Sequence, residues 1–281
     1  MGSGWHEWPL ILFTVIGQCV VGGVIVMGMA WLAARDDKPQ QQHIVRSMFF
    51  LWLLMGIGFL ASVIHLGSPW RALNSLHRVG YSALSNEIAS GALFFSAGAL
   101  WWLLNMLGKM PQALGKAWLV VTMLLGLLFV WAMTRVYLIE TVPTWYNYNT
   151  TLGFFLTVCL GGPLLGTALL HSTRFTFNSG RFAIFSALAL LVSLGTVVLQ
   201  GGSLAGIYSS VHQAAMLQPD FSSLQVWRMV LLVAGLGCWI YPLIRRIPPK
   251  TVPMLLGFLL VAIGEMLGRS LFYGLHMTVG V

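Results

Sequence analysis

The chain has 281 residues, of which 58% are apolar and only 8% charged. An ordinary soluble domain carries about 25% charged residues, so this composition excludes a soluble enzyme, a disordered chain and a nucleic-acid binder. The net charge of +8 reads instead as the basic excess that orients membrane helices.

A spanning helix needs about 20 apolar residues. Eight stretches qualify in chain order: Pro9–Ala34, His43–His65, Ala83–Leu107, Lys116–Leu138, Thr150–His171, Phe182–Ser203, Ser223–Ile244 and Thr251–His276. The breaks between them carry turn chemistry, as in Asp36-Asp37-Lys38-Pro39, Gly67-Ser68-Pro69, Pro111, Val142-Pro143 and Pro248-Pro249. The first span lacks a basic segment before it, carries Glu7 there, and is too long for a signal-peptide core. The expected fold class is therefore all-α. It is a polytopic integral membrane protein whose eight transmembrane helices form a single domain over residues 1–281. The connection Leu204–Ser222 reads as a loop with a short helix, and Gly161-Gly162-Pro163 as a kink in the fifth span.

Loop charge sets the expected orientation. The loops after spans 1, 3, 5 and 7 hold Arg35, Lys38, Arg46, Lys109, Lys116, Arg174, Arg181, Arg245, Arg246 and Lys250. The opposite loops and both tails hold only Arg71 and Arg78. The positive-inside rule then places both termini outside and the basic side in the cytoplasm.

An ionisable residue inside a span costs about 2.5–3.5 kcal/mol on insertion scales, so it usually has a partner or a purpose. Here His65, Glu87, Arg135, Glu140, Arg228, Glu265, Arg269 and His276 all fall toward the outer ends of their spans. His65 closes span 2, Gly67 and Pro69 stop the helix, Arg71 follows, and Asn86-Glu87 opens span 3. An imidazole and a carboxylate facing one pocket suit proton-coupled quinol oxidation, because each quinol hydroxyl needs a proton acceptor as its electrons leave. The candidate quinol-binding residues are thus His65, Glu87, Arg71, Asn86 and Gly67. The alternative is a snorkelling His at a helix end and a Glu that caps the positive end of span 3.

Glu265 and Arg269 stand four residues apart with the acid first, the favourable order for a helical pair, and read as a structural ion pair. Arg135 with Glu140, and Arg228 with Asp220, read as snorkelling and interface pairs. The three cysteines, Cys19, Cys159 and Cys238, lie alone in apolar runs and signal no metal site or cluster. A bis-histidine haem would need His43 with His171, or His65 with His276. The first pair falls at helix ends that would bury a haem poorly, so neither haem nor an iron–sulfur cluster is expected in this protein.

Several long strings resemble the membrane-anchor subunit of the anaerobic dimethyl sulfoxide reductase family. They are Met1-Gly2-Ser3-Gly4-Trp5-His6-Glu7-Trp8-Pro9-Leu10, the His-Leu-Gly-Ser-Pro run at His65–Pro69 and Ser85-Asn86-Glu87-Ile88-Ala89-Ser90-Gly91. Val142-Pro143-Thr144-Trp145-Tyr146, Ser209–Ala215 and Gly268–Gly280 belong with them. The resemblance runs over essentially the whole chain. It implies that the outside is the periplasm and the membrane the bacterial cytoplasmic (inner) membrane. It further implies an eight-span, haem-free subunit that oxidises menaquinol from the membrane pool in anaerobic respiration. Its partners would be a four-cluster iron–sulfur subunit and a molybdopterin catalytic subunit that reduces S- or N-oxides. It also ties His65 and Glu87 to the quinol site. His77, His212 and Tyr81 depart from the family pattern, and the match does not separate the anchor from its close paralogue. The other class open to such a chain is a secondary transporter or channel-like protein, which predicts broken helices and polar groups near the midplane.

Overall fold

The computed structural model describes residues 4–34, 37–65, 74, 76–173, 179–204, 206–207 and 220–277. Among these, a short 3₁₀ turn, Gly4–Glu7, leads into α1 (Trp8–Ala33), followed by α2 (Lys38–His65), α3 (Ala83–Met106) and α4 (Gln112–Tyr137). Then come α5 (Tyr148–Ser172), α6 (Gly180–Leu204), α7 (Phe221–Ile244) and α8 (Thr251–Gly274). All eight are long and apolar enough to cross a membrane. Most of the Leu204–Ser222 connection lies outside the described residues.

The helix ends follow local chemistry. Pro9 enters in the first turn of α1, where its missing N–H is no loss. Ser82 Oγ accepts from the Ser85 amide at the start of α3, and Asn147 Oδ1 from the Thr150 amide at the start of α5. The clearest departure from expectation is α2, which begins at Lys38 rather than His43. Asp37 Oδ1 accepts from the Gln40 amide at 3.2 Å, capping a polar first turn that continues the helix beyond its apolar length. The side chain of Gln41 then donates to the Trp31 carbonyl.

Lipid tails are as apolar as leucine, so helices in a bilayer associate through close packing rather than hydrophobic burial. α1 is the innermost helix and touches α2, α4, α5 and α8. Its approach to α5 is backbone on backbone: a Cβ on Gly162 would land on the Cα of Gly22. Gly161-Gly162 therefore serves this contact, and α5 continues through Pro163. Proline removes the N–H that the Cys159 carbonyl would use. Ser186 Oγ of α6 donates to that carbonyl at 2.8 Å and ties α6 to α5.

The 3₁₀ turn packs on α8, so both ends of the described chain share one face. Helices α2, α4, α6 and α8 finish at this terminal face. The opposite face carries Lys38, Lys109, Lys116, Arg181, Arg245, Arg246 and Lys250 around the helix ends.

Candidate functional site

His65 is the last residue of α2, with its side chain 38% exposed at the terminal face. Its Nε2 lies 3.2 Å from Glu7 Oε2 in the turn that precedes α1. The pair holds the N-terminal segment against the end of α2. Sequence reasoning does not single out Glu7 as a site residue, because only the fold brings the first turn beside the end of the second span.

Glu87 is the fifth residue of α3, about 6 Å along the helix at 1.5 Å per residue. It is 6% exposed, and its Oε1 has no hydrogen-bond partner among the described residues. A buried carboxylate oxygen without a donor is costly. Glu87 lies within electrostatic reach of Tyr137 and Tyr273. Those two hydroxyls are 2.8 Å apart, joining the end of α4 to the end of α8. No hydrogen bond or ion pair among the described residues links His65 to Glu87; they flank the junction of α2 and α3 as separate acceptors.

Asn86 serves the backbone. Its Oδ1 accepts from the Gly80 amide at 2.6 Å, and Gly80 has a φ of +92°, a conformation open to glycine. This bond fixes the turn into α3 and thereby the register of Glu87. Gly67 and Arg71 lie outside the described residues.

The second cluster sits deeper. Glu265 lies nine residues before the end of α8, roughly 13 Å from it. The expected Glu265–Arg269 pair is corrected here. Glu265 Oε1 accepts from Arg228 of α7 at 3.0 and 3.3 Å, and its Oε2 accepts from Thr157 Oγ1 of α5 at 2.5 Å. The Arg228–Asp220 pair is replaced in the same way. The physical reason is Gly268: a Cβ there would fall on the Arg228 guanidinium, so the bare backbone of α8 makes the channel through which Arg228 reaches Glu265.

Arg269 turns the other way. It donates to Gln18 Oε1 of α1 at 3.0 Å and lies 3.6 Å over the Phe154 ring, a cation–π contact. Gln18 in turn donates to Met133 Sδ. Sequence reasoning misses Gln18 and Thr157, although each is a polar group inside an apolar span and could be sought as a partner for the buried charges.

Around the Tyr137–Tyr273 bond, Trp145 stacks on Phe272 with ring centres 5.1 Å apart and donates from Nε1 to the Phe272 carbonyl at 2.7 Å. His276 packs on Trp145 at 4.7 Å. A rigid aromatic wall thus closes the terminal face between α4, α5 and α8. Among the described residues, no three His, Cys, Asp or Glu side chains converge as a metal site would require. The transporter alternative expects broken helices, whereas each helix runs unbroken through its span.

Comparison with known proteins accounts for this arrangement. The sequence is 64% identical to the YnfH subunit of an anaerobic dimethyl sulfoxide reductase of Escherichia coli (strain K12), over all of this protein and 99% of that relative. It is 54% identical to the C subunit of anaerobic dimethyl sulfoxide reductase of the same organism, again over all of this protein and 99% of the relative. It is 41% identical to the C subunit of the Haemophilus influenzae reductase, with the same coverage. Residues 1–275 match the family model described as DMSO reductase anchor subunit (DmsC), and the protein belongs to that family, as a multi-pass inner-membrane subunit that anchors a dimethyl sulfoxide reductase complex.

Proposed function

We propose that the protein is the menaquinol-oxidising subunit of its complex as well as the anchor. The observation that carries this reading is Glu87: a carboxylate buried one turn inside a membrane helix, with an oxygen that nothing among the described residues satisfies. A structural carboxylate in this molecule looks different, since Glu265 has donors on both oxygens.

Oxidising one quinol to the quinone releases two electrons and two protons. Glu87 Oε1 accepts the hydrogen bond, and then the proton, of one quinol hydroxyl. His65 serves the other. Its Nε2 faces Glu7, which favours the tautomer with the proton on Nε2 and leaves Nδ1 as acceptor toward the quinol. The half-exposed Glu7 then passes a proton from His65 to water. Gly67 and Arg71, in the connection between the two helices, complete the site in this reading, and Asn86 positions Glu87.

The electrons leave to a four-cluster iron–sulfur subunit and then to a molybdopterin catalytic subunit that reduces an S- or N-oxide. Three relatives that are themselves named as parts of dimethyl sulfoxide reductases support these partners. The iron–sulfur and molybdenum chemistry belongs to the partner subunits in this reading. This subunit's contribution is to bind, orient and deprotonate the quinol.

The test uses the assembled complex in membranes. Glu87→Gln keeps the shape of the side chain and removes its capacity to take a proton. It should abolish S-oxide reduction driven by a menaquinol analogue, while reduction driven by a soluble artificial donor continues, because that donor bypasses the anchor. Undiminished quinol-driven turnover in an assembled Glu87→Gln complex would overturn the assignment.

A further inference from the structure

Helix α1 is buried along most of its length, yet Ile25 and Met29, one turn apart, are uncovered, Met29 by 46%. They form the floor of a crevice of about 510 Å³ between α4 and α6. Leu127 of α4 makes one wall, Phe185 of α6 the other, and Phe155 and Pro163 mark its extent along α5. From Phe155 to Pro163 is about 12 Å of helix. The crevice arises because α6 packs against α5 and α7, leaving the side of α1 between α4 and α6 open.

The walls are apolar except at one end, where Arg181 joins the lining. Arg181 is in the first turn of α6, exposed at the basic face, and makes no hydrogen bond or ion pair among the described residues. Water has no partners on the apolar walls, so a hydrocarbon must fill the space within a bilayer.

We propose that this crevice is a binding site for an anionic phospholipid, with an acyl chain lying over Ile25 and Met29 and the phosphate on Arg181. An isoprenoid tail would satisfy the apolar walls but leave Arg181 without a counter-charge. A neighbouring protein helix would face the same mismatch unless it carried an acid at that height. The site lies at the opposite face from His65 and Glu87, so it stands independently of the quinol reading.

The test takes the purified full-length protein in detergent, mixed with phosphatidylglycerol or phosphatidylcholine of identical acyl chains, and counts retained lipid by native mass spectrometry. One phosphatidylglycerol should remain per protein molecule under conditions that strip phosphatidylcholine. Arg181→Gln should reduce that preference about fivefold, the weight of one basic residue against an anionic headgroup. Arg245→Gln, at the same face but outside the crevice, should leave it unchanged. Phosphatidylglycerol carrying a photoreactive diazirine near the acyl terminus should label the peptides containing Met29 and Phe155 in the unmodified protein. The proposal fails if Arg181→Gln keeps the full preference, if Arg245→Gln loses as much, if labelling falls elsewhere, or if the crevice is recovered holding a quinone or a second copy.

Discussion

The two ionisable clusters near the terminal face differ in depth and in how their charges are met. In the α5–α7–α8 cluster both oxygens of the carboxylate have donors, Glu265 taking Arg228 and Thr157, and Arg269 takes Gln18 and the Phe154 ring although its Nε has no partner among the described residues. At the junction of α2 and α3 the pattern reverses. Glu87 is buried with an open acceptor, and the paired group, His65, is the exposed one. A buried carboxylate with donors on both oxygens resists change and holds helices in register. One with an open oxygen is available to a ligand. By that measure the shallow cluster is where the proposed quinol site belongs, and the deep one reads as the brace.

The all-or-none test of the comparison is its side of the membrane. Both clusters face the terminal side, and the basic residues face the other. The positive-inside rule therefore predicts that both clusters lie toward the periplasm. Reporter fusions after Leu107 and after Ile244 should be active only as cytoplasmic reporters, and fusions after Leu138 and Val281 only as periplasmic ones. A C-terminal fusion that reports cytoplasm would invert the proposed site's access and its proton release.

Next in size are the variants that fill the open acceptor with the wrong charge. Glu87→Lys and His65→Arg should each lower quinol-driven turnover by about 10²–10⁴-fold, the contribution of a positioned acid–base group. Assembly and artificial-donor activity should survive. Glu87→Asp keeps the carboxylate with a shorter reach and should lose less. If Glu87→Asp and Glu87→Lys prove equally inactive and equally poorly assembled, Glu87 belongs with the brace.

The brace has the opposite signature. Glu265→Gln leaves Arg228 unpaired in the membrane and should destabilise the subunit by about 3–5 kcal/mol. Immunoblots of membranes should show a parallel loss of anchor and of both activities. The double variant Arg228→Met, Glu265→Met removes both charges at similar volume and should recover much of the assembly, since a buried ion pair is often replaceable by apolar groups. Recovery of assembly without recovery of quinol turnover would show the deep cluster taking part in the chemistry.

The spans are legible in the sequence because the rule behind them is one-dimensional: 20 or so apolar residues and a turn signal suffice. His65 and Glu87 stand out for the same reason, as charges near helix ends beside a Gly-Ser-Pro break. Partner choice is not legible. The i,i+4 rule concerns an isolated helix surface, and Glu265 and Arg269 are not on one. Gly268 opens α8 to α7, and Arg228 then competes for Glu265 from across the interface. Asn86 likewise reads as a site residue by adjacency, whereas its side chain is spent on the Gly80 turn. The pairing of Glu7 with His65 depends on the Glu7 side chain reaching the end of α2, a contact between residues 58 positions apart that no local pattern encodes.

That pairing supplies the smallest and most discriminating prediction. Glu7 and His65 are 41% and 38% exposed, so their direct contribution to stability is within about 1 kcal/mol and falls as salt rises. Glu7→Gln should therefore leave assembly untouched. If Glu7 only fastens the N-terminal turn, the amide serves as well, because it still accepts from Nε2, and quinol turnover should not change. If Glu7 sets the tautomer of His65 and drains its proton, the amide fails at the second task. Turnover should then drop several-fold. The proton leaves through an exposed pair in this scheme, so raising the concentration of a small mobile buffer should restore part of the lost rate in Glu7→Gln and none in His65→Arg. A deficit that buffer does not relieve would assign Glu7 to orientation of the imidazole alone.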